Sequence, residues 1–309
     1  MMQMTEIKFK SDVMLSGTIN KPEENDQHTI ILFIPGSGKV DRDGNANQKW
    51  MNFSIYKQLA DFLISKGFTT FRYDKRGVGK SEGDHLRTGL HDAINDVQAA
   101  IQYTRNTMPQ GTKIMLLGHS EGTMIATAVA AREMLDGIIL LSGGGETFEE
   151  ASARQRELAF TALKAKKNFS GWLFRTFQLD KRTEKKNQRI FAKIKNTDKD
   201  VIRVQGIPFP AKWAREHFAY DLLSDLKKIS CPVLAITGAA DIQSDYRKLE
   251  RLKDVNTDVK TYVIEDMDHL LKEEKDDVNI LEIKKIYQRN HSKPIHPELK
   301  ERLAEWLTV

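Results

Sequence analysis

A serine hydroxyl is a poor nucleophile at neutral pH unless a base takes its proton and a carboxylate orients that base. This chain carries those three residue types in a suggestive order. Ser120 stands within Gly118-His119-Ser120-Glu121-Gly122, after the apolar run Lys113–Leu117 and before a helix-forming run that reaches Ala131. Strand, Gly-x-Ser-x-Gly, helix is the context of a nucleophile elbow, in which the flanking glycines leave room for a turn too sharp for side chains. The spacing therefore predicts a strained backbone at Ser120 with its hydroxyl held clear of a sheet.

The remaining two groups should follow in the order acid, then histidine. Asp241 ends Thr237-Gly238-Ala239-Ala240-Asp241, just past a strand-like run, and His269 ends Glu265-Asp266-Met267-Asp268-His269, just past the last one. Asp245 and Asp268 are rival acids, the first falling in the next helix and the second too near His269 along the chain to orient it. His119 lies inside the elbow and points elsewhere, while His217, His291 and His296 fall on helices or linkers and read as packed or solvated. An oxyanion hole needs two backbone N–H groups aimed at the developing negative charge. Glu121, next after the serine, supplies one, and Ser37, between two glycines in Pro35-Gly36-Ser37-Gly38, supplies the other.

Two glycine-rich stretches resemble binding motifs without matching them. Asp41-Arg42-Asp43-Gly44-Asn45 has its glycine misplaced for a calcium loop and no closing glutamate. Gly77-Val78-Gly79-Lys80-Ser81 would need a glycine where Asp74 stands to be a phosphate loop. Both read as scaffolding at the mouth of a site, and no metal or organic cofactor is expected.

The elements that position these residues alternate. Strands are expected at Glu6–Ser11, Val13–Asn20, Thr29–Ile34, Phe68–Tyr73, Lys113–Leu117, Gly137–Leu141, Pro232–Thr237 and Lys260–Ile264, with helices between most of them. Thr29–Ile34 is apolar at nearly every position, as in a parallel strand covered on both faces. Alternation of this kind predicts an α/β fold with a mostly parallel central sheet of about eight strands flanked by helices. The rhythm breaks after the sixth strand. Residues 144–229 show only helical patterns, so they are expected to form an all-helical cap inserted into a core made of 1–143 and 230–309. Lys272–Arg289 is expected to be a charged surface helix.

Composition narrows the classes. Of 309 residues, 40% are hydrophobic and 29% charged, which suits a globular protein with an ample core. The start of the chain lacks the apolar block of a signal peptide, and no run of about 18 apolar residues suggests a membrane span. The single cysteine, Cys231, excludes an internal disulfide and reads as a buried structural thiol, so the expected compartment is the cytoplasm. Ala151–Lys228 holds 19 Lys and Arg against 8 Asp and Glu, a net +11 in a chain of net +5. That excess belongs to the insertion and reads as a solvated face; no nucleic-acid partner is expected and a membrane-surface contact is disfavoured.

The motifs Pro35-Gly36-Ser37-Gly38, Asp41–Asn45 and Tyr73-Asp74-Lys75-Arg76-Gly77-Val78-Gly79-Lys80-Ser81, together with the elbow, resemble the α/β-hydrolase superfamily over essentially the full length. Within it they are similar to bacterial EstD-type carboxylesterases and serine aminopeptidase-like hydrolases. The resemblance implies a Ser120–Asp241–His269 triad and hydrolysis of short acyl esters; the expected partner is a small-molecule acyl ester of short to medium length, and the expected state a monomer or homodimer. A thioesterase, acyltransferase or aminopeptidase would use the same triad, and a non-catalytic receptor on this fold is the alternative of another class. The cap departs from any motif. Its cluster Phe169, Trp172, Phe174 and Phe177 is expected to roof the Ser120 pocket and touch the acyl chain.

Overall fold

In the computed structural model, residues 3–23, 27–46, 51–255 and 258–308 are described; the centre of the turn expected at Lys21–His28 lies outside them. Strands β1 (Gln3–Lys10) and β2 (Met14–Lys21) form an antiparallel ribbon, followed by β3 (Thr29–Ile34), helix α1 (Ile55–Ser65) and β4 (Thr69–Tyr73). Helix α2 (Leu90–Thr107), β5 (Lys113–His119), α3 (Glu121–Ala130) and β6 (Gly137–Leu141) continue the alternation. The sheet runs β1-β2-β4-β3-β5-β6 and then takes in β9 (Val233–Gly238) and β10 (Val259–Ile264). All pairs from β4 to β10 are parallel, and only β1–β2 and β2–β4 are antiparallel.

Alternation along β3 shows why the sheet needs helices on both sides. Ile30, Leu32 and Ile34 join one buried cluster with α2 and α3 residues such as Val97, Ile101 and Val129. Ile31 and Phe33 join the other, with Leu59 and Leu63 of α1 and Leu299 and Leu303 of α11 (Pro297–Leu307). Helix α1 stops where Gly67 takes φ 89°, a conformation that glycine adopts at no steric cost.

Between β6 and β9 the chain leaves the sheet through α4 (Phe148–Ala165), α5 (Phe169–Thr176), α6 (Leu179–Lys195), β7 (Val201–Val204), β8 (Ile207–Pro210), α7 (Ala211–Ala219) and α8 (Leu222–Leu226). The insertion is therefore not all-helical: β7 and β8 form an antiparallel hairpin. Its turn, Gln205-Gly206, has φ 52° and 82°, the left-handed pair that matches strand twist in two-residue hairpins. Four-residue strands, one of them carrying Pro208 and Pro210, present too short and too proline-interrupted a pattern to read as strand in the sequence. Helix α9 (Glu250–Val255) lies between β9 and β10.

The expected helix Lys272–Arg289 is mostly not one. A short 3-10 turn at Ile280–Glu282 leads into α10 (Ile283–Asn290), and Lys272 is fully buried, its ammonium donating to the carbonyls of Phe53 and His291. Cys231 is buried, and burial pushes its thiol up to about 11, away from thiolate chemistry. Among the described residues no helix is long and apolar enough to cross a membrane.

The sheet admits α3 only because residue 122 has no side chain. A Cβ at Gly122 would lie 2.1 Å from the Ile34 carbonyl oxygen, and one at Gly118 would lie 2.3 Å from that of Gly122. Gly122→Ala should therefore yield little folded protein, with the loss visible in soluble yield and near-UV circular dichroism. A variant that melts within a few degrees of the parent would contradict this packing.

Candidate active site

Parallel pairing places the ends of β3, β5, β9 and β10 along one edge of the sheet, and each emits a loop that carries one part of the site. At the end of β5, Ser120 has φ 55° and ψ −119°, a sparsely populated conformation for a residue with a Cβ, of the kind that stores about 1–3 kcal/mol. Surrounding bonds hold it there. Its N–H donates to the Leu141 carbonyl at 2.9 Å, and its carbonyl accepts from the N–H and Oγ1–H of Thr123 at 3.0 and 2.7 Å.

Ser120 Oγ lies 3.0 Å from His269 Nε2, and His269 Nδ1 lies 2.9 and 3.0 Å from the two carboxylate oxygens of Asp241. A carboxylate only accepts, so Nδ1 carries the ring proton and Nε2 presents a lone pair to the serine hydroxyl. Asp241 is buried. Burial alone would raise its carboxyl, but His269 and the N–H groups of Ser244 and Gln243, at 2.9 and 2.8 Å, outweigh it and hold the carboxyl below the usual range. The rival acids face elsewhere. Asp245 caps the turn Tyr246–Leu249 and pairs with Arg247. Asp268 is buried against the Asn290 side chain and the Lys272 N–H.

Ser37 and Glu121 line a cavity of about 270 Å³ together with Ser120 and His269. The loop bearing Ser37 passes so close to the elbow that a Cβ at Gly36 would sit 3.1 Å from that of Ser120. A second, more apolar cavity of about 300 Å³ shares Ser37, Glu121 and Trp213 with the first and extends over Ile34, Tyr73, Lys75, Ala93 and Ile125. The scaffold loops lock behind it. Asp74 accepts from the N–H and guanidinium of Arg42 and from the N–H of Lys80, filling with a carboxylate the nest a phosphate would need.

His119 points away from the cavity, as the sequence suggests, but it has a structural task. Its Nε2 lies 2.8 Å from the His269 carbonyl and its Nδ1 lies 3.0 Å from the Tyr56 hydroxyl. A carbonyl only accepts, so Nε2 carries the proton and Nδ1 accepts from Tyr56, whose oxygen in turn accepts the Gly36 N–H at 2.8 Å. Burial, reinforced by the nearby His269, drops the His119 pKa to about 3.

The insertion contributes residues that the sequence did not single out, together with His217, which reads there as packed or solvated. Phe148, Ala151, Gln155, Trp213 and His217 line the Ser120 cavity. His217 Nε2 lies 2.9 Å from the Glu121 carboxylate, and the Trp213 indole N–H donates to it. Despite burial, these contacts together with Lys75 bring the Glu121 pKa down to about 2. Arg154 of α4 donates to the carbonyls of Ile242 and Gln243, and so ties the insertion to the loop of Asp241. The expected aromatic roof is displaced. Phe169, Trp172, Phe174 and Phe177 line neither cavity. Phe174 packs on Phe160, while Phe169 and Trp172 stack on each other at the surface; Phe169, Trp172 and Phe177 are 71, 50 and 46% exposed. Helix α5 packs on α4 and α6, so its inward face meets other helices of the insertion.

One cluster elsewhere has metal-ligand composition: Asp266, Glu273 and His296. His296 Nδ1 accepts the Glu298 N–H, so Nε2 carries the proton it donates to Asp266 at 3.0 Å and offers no lone pair to a cation.

Residues 51–276 match the model of the family described as Serine aminopeptidase, S33. Esterase EstD of Thermotoga maritima is 25% identical over 264 residues, which cover 83% of this chain; the chain spans 58% of that relative's length. Among solved structures, the Pyrococcus furiosus esterase Pf2001 superposes with a TM-score of 0.61 at 16% identity, covering 99% of this chain and 91% of that one. Est1E of Butyrivibrio proteoclasticus, bound to ferulic acid, gives 0.57 at 18% identity, with 92 and 96% covered. These likenesses show the α/β-hydrolase fold.

The neutral His119 ring makes stability depend on acid. Below its unfolded pKa of about 6.5 the unfolded chain takes up a proton that the folded chain refuses, so stability is complete above that pH and is lost as pH falls toward 3. Between pH 6 and 4.5, unfolding free energies from urea titrations should fall less steeply in His119→Gln than in the parent. The difference should approach about 1.4 kcal/mol per pH unit. Parallel slopes would show that the folded ring accepts a proton.

Proposed function

Because this chain belongs to the serine aminopeptidase S33 family, we propose that it is a serine carboxylesterase acting on short-to-medium acyl esters. The observation that supports this most is the continuous Asp241–His269–Ser120 chain of contacts, at 2.9 and 3.0 Å, opening onto a cavity. In this reading His269 Nε2 takes the hydroxyl proton as Ser120 Oγ attacks the acyl carbonyl. The N–H groups of Ser37 and Glu121 bind the resulting oxyanion. His269 passes its proton to the departing alcohol, then takes one from the water that attacks the acyl-enzyme, and the acid leaves. Asp241 keeps the ring in the required tautomer throughout. The chemistry asks for no metal or organic cofactor.

Residues 144–229 act as a cap over this site, and Trp213 and Phe148 take the roofing role. Two cavities meeting at Ser37, Glu121 and Trp213 give the acyl and alcohol parts separate places. The partner is thus a small-molecule ester, and a single buried cysteine fits the cytoplasm.

With p-nitrophenyl butyrate as substrate, Ser120→Ala and His269→Ala should each lower kcat by roughly 10⁶-fold and Asp241→Ala by roughly 10⁴-fold. Activity retained in Asp241→Ala but lost in Asp245→Ala would reassign the acid. A fluorophosphonate should label Ser120; a protein that stays unlabelled and inactive would be a receptor on this fold and not an enzyme.

Across p-nitrophenyl esters of increasing acyl length, Trp213→Ala should shift the preferred length and Trp172→Ala should leave it in place. The reverse pattern would return the roof to α5.

A further inference from the structure

The mechanism above uses the Ser37 N–H and leaves unexplained why a lysine lies beside it. Lys75 follows β4, and its ammonium donates to the carbonyl of Gly36. It does so within the apolar cavity, among Ile34, Pro35, Tyr73 and Ile125. Holding a lysine there has an energetic penalty, since burial lowers its pKa below the ordinary lysine range against the pull of Glu121. A lysine without a task would extend its head into water.

The Gly36 carbonyl and the Ser37 N–H are two ends of one peptide group. That group is planar and trans, so its oxygen and hydrogen point in opposite directions and fixing one fixes the other. Tyr56 already holds the preceding amide, through the Gly36 N–H. Donation to the oxygen also draws electron density from the nitrogen, and strengthens the N–H as a donor by about 10–30% in a polarised chain.

We propose that Lys75 is a positioning residue for the oxyanion hole, aiming and polarising the Ser37 N–H through the Gly36 carbonyl. It acts on the tetrahedral intermediate without touching it. It also answers an electrostatic problem set by the residue after the nucleophile. The Glu121 carboxylate would oppose a developing oxyanion, and Lys75 on one side with His217 and Trp213 on the other takes up that charge. The proposal rests on the esterase reading given above.

The test compares Lys75→Met and Lys75→Arg with the parent, using p-nitrophenyl butyrate, an alkyl boronic acid as tetrahedral mimic, and a fluorophosphonate. Loss of a direct oxyanion donor costs about 10²–10³-fold in kcat; loss of its polariser should cost less, on the order of 10- to 100-fold. In Lys75→Met, kcat should fall by that amount with KM within twofold. Boronate affinity and the fluorophosphonate labelling rate should fall in step, and Lys75→Arg should recover much of all three. If Lys75→Met does not fold, Lys75→Gln serves the same comparison. An unchanged kcat, a change confined to KM, or equal losses in the Met and Arg variants would overturn the proposal. Ser120→Ala tests the underlying reading separately: activity that survives there removes the triad itself, whereas an inert Ser120→Ala beside a fully active Lys75→Met removes only the role of the lysine.

Discussion

The site depends on a buried line of hydrogen bonds that includes neither the Ser120 hydroxyl nor the His269 ring. Gly36 donates to Tyr56, Tyr56 to His119, and His119 to the backbone of His269. Three loops that leave three different strands are tied by it into one body. Each link admits a single direction of donation, because the line ends on a carbonyl that only accepts. Burial keeps the Tyr56 phenol and the His119 ring uncharged, so no change of pH in the ordinary range reverses a link. His119 thereby fixes where His269 stands relative to Ser120.

Around that line the charges are arranged in compensating sets. Glu121 sits beside the nucleophile as a carboxylate held ionised by its partners, and two of those partners, Trp213 and His217, come from the insertion. Removing the insertion would take Phe148, Trp213 and His217 from the lining of the Ser120 cavity and leave the Glu121 carboxylate without two of its partners. The insertion is anchored to match. Arg154 grips the loop of Asp241, and Arg251 of α9 pairs with Glu150 of α4, so α4 is tied to the core at both places. Of the 19 lysines and arginines of Ala151–Lys228, seven lie in α6, where they are exposed to solvent.

What could be read from the sequence was what depends on local pattern. Strand runs, the elbow, Gly67 as a helix stop, and the order of Ser120, Asp241 and His269 each leave a mark within a few residues of themselves. Lys75, Trp213 and His217 leave none, because their partners lie on other elements and the tie is set by tertiary packing. The aromatic cluster of α5 misled for a related reason: apolar composition says that a face is covered, but not by what, and Phe174 is covered by Phe160. The β7–β8 hairpin fell below the length at which alternation is a signal. Lys272 failed differently, since a lysine in a charged run gives no sign that it satisfies two buried carbonyls.

The sheet order has a further consequence for how activity and folding are related. Strand β10, which leads to His269, is an edge strand that among the described residues pairs with β9, and His269 lies 149 residues after Ser120. Edge elements open at lower free energy than central ones. Ser120 is rooted in the middle of the sheet and His269 follows a strand at its margin, so the pair joins a central element to an edge element. Fraying confined to this edge would therefore part His269 from Ser120, and turnover would report it while the central strands were still intact.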